Sequence, residues 1–120
     1  MKIKWLCTLW GMNKPTLEDN LMAIKDAGFE GVEMIVPDDS AGRNMLGVLL
    51  NENGLDLVAQ VRAEGSTADA QIESLKQGLG EAAELNPLFV NAHCGKDFWH
   101  FKENRRVIAS AQRFAGERGI

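Results

Sequence analysis

Four short, nearly unbroken apolar runs recur along this chain, and each is followed by a longer amphipathic segment. The runs are Lys4–Trp10, Gly31–Val36, Leu55–Val61 and Leu88–Ala92. An apolar run that does not alternate with polar residues is the pattern of a parallel strand covered on both faces. Starts near residues 4, 31, 55 and 88 give units of roughly 25 to 33 residues, the span of a strand, a helix and two loops. The spacing therefore predicts an α/β chain of four βα units. Its strands should lie in the order 1-2-3-4, because short parallel crossovers place sequential strands side by side.

The segments between the runs carry helix punctuation. Thr16 is an expected N-cap, with Glu18 and Asp19 in the electropositive first turn, and Leu17, Leu21 and Ile24 on one face before Gly28. A second helix is expected from about Ala41 to Gly54, with Met45, Leu46, Leu49 and Leu50 inside. The third should be capped by Ser66 or Thr67, bury Ile72, Leu75, Leu79 and Ala82, and stop at Asn86-Pro87. The fourth buries Val107, Ile108, Ala111 and Phe114 and closes at Gly119. No linker or composition break divides residues 1–120, so one domain is expected.

Two architectures accommodate four such units: a half-barrel with every helix on its outer face, or an open doubly wound sheet. Both place chemistry at the C-terminal ends of the strands. The residues there are Cys7, Thr8, Trp10 and Met12; Glu33; Gln60, Arg62 and Glu64; and Asn91, His93, Cys94, Lys96 and Asp97. Polar groups inside apolar strands are costly unless partnered, so their convergence on one sheet edge marks a candidate site. Glu33 either meets a polar barrel mouth or forms a structural salt bridge, with Lys4 or Arg62 as partners. His93 either serves a ligand or caps a strand end. Trp10 can wall a pocket, whereas Trp5 is expected in core or rim packing. Gly78-Leu79-Gly80-Glu81-Ala82-Ala83 matches a dinucleotide fingerprint but falls inside a helical segment, where it cannot wrap a pyrophosphate.

The net charge of −4 disfavours a nucleic-acid backbone as partner. Cys7 and Cys94 lie outside any zinc-type spacing, and strand order puts them three spacings apart, about 14 Å, beyond disulfide reach. No signal-like or membrane-length apolar run occurs, so a cytoplasmic protein is expected.

Gly28-Phe29-Glu30-Gly31-Val32-Glu33 resembles the second-strand signature of the xylose isomerase-like TIM-barrel superfamily. That group holds sugar-phosphate isomerases and epimerases, hydroxypyruvate isomerase, inosose dehydratase and the AP endonucleases. The segment from Val90 to Trp99, with Phe101-Lys102-Glu103-Asn104 after it, resembles the fourth-strand region of one isomerase/epimerase-like branch. The resemblance implies a parallel (βα)4 half of a TIM barrel, the N-terminal half. It implies metal-assisted proton transfer on a ketose or hydroxy-carbonyl in the full-length proteins, with Mn, Mg, Co or Zn held by residues of strands 5 to 8. Those ligands and both catalytic glutamates are expected to be missing here. Such a chain binds no metal alone, with His93 the weak candidate, and contains no catalytic residue. Glu33, His93, Trp10, Gln60, Asn91 and Lys96 are then the expected substrate-side residues for a sugar-like molecule. The alternative is a non-catalytic half-barrel whose exposed edge strands drive self-association into a dimeric barrel; DNA repair of the AP-endonuclease kind is a third reading.

Overall fold

A hydrogen-bonded ladder of four parallel strands organises the chain, which a computed structural model describes over Met1–Ile120. The elements alternate strictly: β1 Leu6–Thr8, α1 Leu17–Asp26, β2 Gly31–Ile35, α2 Ser40–Asn53, β3 Asp56–Arg62, α3 Ala68–Ala83, β4 Phe89–His93 and α4 Phe101–Arg118. The sheet order is β1-β2-β3-β4, every pair parallel. No helix is long and apolar enough to cross a membrane.

Local chemistry sets the helix ends. Thr16 Oγ1 accepts the Asp19 N–H at 3.1 Å, Asp39 Oδ1 accepts the Gly42 N–H at 2.7 Å, and Thr67 Oγ1 accepts the Ala70 N–H at 3.2 Å. Each bond satisfies one of the donors that a helix start leaves free. Gly54 ends α2 in the left-handed region at φ +59°, a conformation that favours glycine for want of a Cβ. The fingerprint-like glycines Gly78 and Gly80 lie inside α3. A Cβ at Gly78 would stand 2.6 Å from Val61 Cγ1, so glycine lets α3 press directly onto β3.

Strand parity divides the sheet into two faces. Cys7, Val32, Met34, Leu57, Ala59, Val61, Val90 and Ala92 point towards the helices and join or pack against one core cluster. Leu21, Leu46, Leu75 and Val107, all 0% exposed, meet them from the four helices. Burying a side chain of this size stabilises by about 1.5–3 kcal/mol. The helices therefore cover one face only. The other face carries Thr8, Glu33, Val58, Gln60, Arg62, Phe89, Asn91 and His93. Val58 is buried yet stands outside the core cluster, as its position on this concave side requires.

Several expected core positions are corrected. Met45 and Ile108 are exposed, at 62% and 50%. Each sits about 100° around its helix from a fully buried neighbour, Leu46 or Val107. In α2 the inner position goes to Arg43, which donates to the Pro37 and Asp38 carbonyls and to Glu84. In α3 it goes to Gln71, and Ile72 is only half-buried. Trp5 is 68% exposed rather than packed, because it lies just before the short edge strand β1, beyond the reach of the core.

The open shape has a measurable signature. A monomer of 13.2 kDa ordinarily exposes about 6,400 Å²; this chain exposes 7646 Å². Its Cα radius of gyration is 15.4 Å, against about 13.6 Å for a compact domain of this length.

Candidate functional site on the concave face

Three polar side chains from three adjacent strands meet on the uncovered face. Gln60 Nε2 donates to Glu33 Oε1 at 3.0 Å, and Asn91 Nδ2 donates to the same oxygen at 2.8 Å. The register explains the meeting: Gln60 and Asn91 are paired positions, and Glu33 lies one pleat below them on the neighbouring strand. These bonds hold the Glu33 carboxyl below its ordinary range, the Gln60 bond first and the Asn91 bond second, against opposing desolvation; the charge of nearby His93 adds to the lowering. Glu33 is thus ionised at neutral pH and accepts hydrogen bonds. Neither salt-bridge partner considered for it is used, and Lys4 pairs with Asp56 instead.

With both amide NH2 groups committed to the carboxylate, the amide oxygens are left over. Gln60 is 6% exposed, and its Oε1 is buried with no partner. Glu33 Oε2 likewise has no partner within the protein. Turning the Gln60 amide over would aim its oxygen at a carboxylate, so its orientation is fixed. A buried acceptor without a donor costs about 1–3 kcal/mol, so Gln60 Oε1 is an unsatisfied group of this row.

One pleat further towards the strand ends, Arg62 and His93 are paired positions, and Ala63 N–H donates to the His93 carbonyl at 2.9 Å. Arg62 is exposed and makes no ion pair. It was legible only as a polar strand exit, yet it stands on the same face as Gln60. Gln60 and Arg62 also border a groove of about 420 Å³ beside Ser74 and Gln77 of α3.

Lys96 and Trp10 are not hydrogen-bonded to this row. They mark the exits of the two outermost strands. Trp10 is 63% exposed, with its N–H on Thr8 Oγ1 at 3.3 Å. The Lys96 backbone is clamped from both sides by Asn104, at 2.9 Å each way. The buried Gln71 completes the clamp. Its Oε1 accepts the Gly95 N–H at 2.7 Å, and its Nε2 donates to the Gly65 carbonyl at 3.3 Å. Gln71 went unnoticed in the sequence, although a glutamine within an apolar helical stripe was the signal available. Cys7 and Cys94 are free and pack towards the helices, so these two strand-exit residues leave the site.

The side chains present do not fit a divalent metal. No three His, Cys, Asp or Glu residues gather where they could share an ion. On the concave face, Glu33 has one oxygen occupied by two amides, and His93 stands without a second nitrogen or carboxylate ligand in reach of both.

No protein-family model and no curated protein sequence matches this chain. Its fold does match solved structures. A D-tagatose 3-epimerase-like protein superposes with a TM-score of 0.77 at 14% identity, over 98% of this chain and 51% of the other. A sugar phosphate isomerase/epimerase from Parabacteroides distasonis superposes at 0.67 and 14% identity, over 97% and 52%. The chain spans about half the length of these structures. Its fold is that of a (βα)4 half of a TIM barrel. The same arrangement makes up about half of each of these two solved structures.

Proposed function

We propose that the concave face is the substrate-side wall of an isomerase/epimerase-type barrel, and that it binds a hydroxyl-rich small molecule such as a ketose or hydroxy-carbonyl. The supporting observation is the surplus of acceptors in the Glu33–Gln60–Asn91 row. Glu33 Oε2 and the buried Gln60 Oε1 both lack donors, and a polyol supplies several O–H groups at short spacing. The rim pair Arg62 and His93 offers donors for a carbonyl or an anionic group one pleat away.

Glu33, held ionised, is an acceptor that orients hydroxyls, not an acid that delivers a proton. Proton transfer beside a carbonyl needs a separate acid and base, a role that this carboxylate does not fill. The −4 charge gives the DNA-repair reading no support.

Side-chain amide resonances of Gln60 and Asn91, followed by NMR during titration with ketoses and sugar phosphates, test the reading. Both should shift together, and Gln60→Leu should abolish the response. Ligand-induced shifts confined to other regions, with both amides unmoved, would refute it.

A further inference from the structure

A chemically labile pair sits at the end of α2. Among the asparagines of the chain, Asn53 alone is followed by glycine. In an unfolded chain such a pair loses ammonia readily, because a residue without a Cβ leaves its backbone nitrogen unhindered and its backbone mobile.

We infer that Asn53–Gly54 is a deamidation site gated by the C-terminal cap of α2, closed while the cap is formed and reactive once that turn opens. The co-reactant is water. The Gly54 nitrogen attacks Cγ of Asn53 and forms the new C–N bond of a cyclic imide. The Cγ–Nδ2 bond breaks, and Nδ2 leaves as ammonia with the proton that Gly54 gives up. Water then adds to one of the two imide carbonyls and the ring opens. The product is aspartate at position 53, or isoaspartate, in which the main chain runs through the former side-chain carbonyl. Nothing is oxidised or reduced.

The cap restrains each partner in this reaction. The nucleophile is engaged, since the Gly54 N–H donates to the Asn51 carbonyl at 3.2 Å and also reaches the Leu50 carbonyl. The leaving group is engaged too. Asn53 Nδ2 donates to the Leu49 carbonyl at 2.8 Å, which draws the side chain back along the helix and away from the nitrogen that follows it. The backbone between them is fixed, because Asn53 is the last residue of α2 and imide closure requires its Cα–C bond to rotate out of the helical conformation. Leu55 N–H closes the turn on the Leu50 carbonyl at 2.9 Å. Leu50 and Leu55, each 7% exposed, flank it in the core cluster, as in a Schellman cap. Gly54 itself is exposed, so water meets the pair as soon as these bonds part.

The products do not rebuild the cap. An aspartate at position 53 has no N–H for the Leu49 carbonyl, and isoaspartate adds an atom to the main chain of the turn. Either one loosens the arrangement that protected the asparagine.

Incubating the 120-residue chain in mildly alkaline buffer, native and unfolded in guanidinium chloride, tests the inference, with peptide mass mapping and isoaspartate detection as readouts. Residue 53 should convert at least about tenfold faster in the unfolded chain than in the native one. It should also convert before any other asparagine, and Asn53→Gln should remove the modification. Leu55→Ala, which takes away the buried side chain behind the turn, should raise the native rate at residue 53 while far-UV circular dichroism is kept. If that variant does not fold, denaturant below the global transition takes its place and should raise the rate likewise. In Asn53→Asp the Leu55 amide should exchange hydrogen faster than in the native chain. Equal rates in the native and unfolded chains, or a native rate indifferent to both ways of loosening the turn, overturn the gating. Conversion that begins at another asparagine overturns the site, and unchanged exchange at Leu55 overturns the damage assigned to the product.

Discussion

Glu33→Ala is expected to destabilise the chain by about 2 kcal/mol, although Glu33 is not a member of the core cluster. The magnitude follows from its two partners. Gln60 is 6% exposed and its Oε1 is already unpartnered; removing Glu33 takes the only acceptor from Nε2. A buried amide donor left unsatisfied costs about 1–3 kcal/mol. Asn91 is exposed, so its amide regains water and adds almost nothing. At about 2.1 cal/mol/K of unfolding entropy per residue, 2 kcal/mol lowers the Tm by roughly 8 °C for a domain of this length. Urea unfolding at one fixed protein concentration, followed by tryptophan fluorescence and far-UV circular dichroism, measures it. Fixing the concentration matters because any association adds to apparent stability. The companion variant is Glu33→Ala with Gln60→Met. Replacing both partners by apolar groups removes the orphan, and most of the lost stability should return. If the single variant loses less than about 0.5 kcal/mol, or the double loses at least as much as the single, the row is not the buried, mutually dependent unit described here.

Two further outcomes are expected. Glu33→Gln should titrate differently from the native chain. The folded carboxyl lies below its usual 4.5, so its contribution is complete above the unfolded value and is lost as pH falls through the folded one. The stability gap between the two proteins should stay constant down to about pH 5 and close below about pH 4. Gln71→Ala should free the segment that follows β4. The Gly95 N–H loses its acceptor, and its hydrogen exchange should accelerate at least about tenfold, while amides of α1 at the opposite edge of the sheet stay unchanged.

The fold was legible because its signals are local and repeated. Apolar runs gave the strands, hydroxyl caps at Thr16 and Thr67 gave helix starts, and unit length gave a parallel order that the sheet shows. Face assignments within helices were less so. Met45 and Leu46, or Ile108 and Val107, are equally apolar neighbours, and only the neighbouring elements decide which of the two turns inward. Arg43 and Gln71 are harder still, since each is buried by bonds to loops that no periodicity identifies. Among the site residues, Glu33, Gln60, Asn91 and His93 share the concave face as their strand positions suggest. That Gln60 would surrender its NH2 to Glu33 and be left with a bare oxygen depends on side-chain geometry across two strands. Trp10 and Lys96 were marked by the same strand-exit logic, but each belongs to a loop, and loops need not turn back over the face.

The clamp on the segment after β4 bears on how quickly a molecule reaches the face and how it leaves. Gln71 and Asn104 hold Gly95 and Lys96 by side-chain bonds in place of secondary structure, so this rim has little freedom left to surrender on capture. It is also a poor gate, because moving it requires breaking three bonds, one of them to a buried glutamine. Access on the β4 side is then governed by diffusion onto a standing surface rather than by the opening rate of a lid, and residence time is governed by the contacts alone.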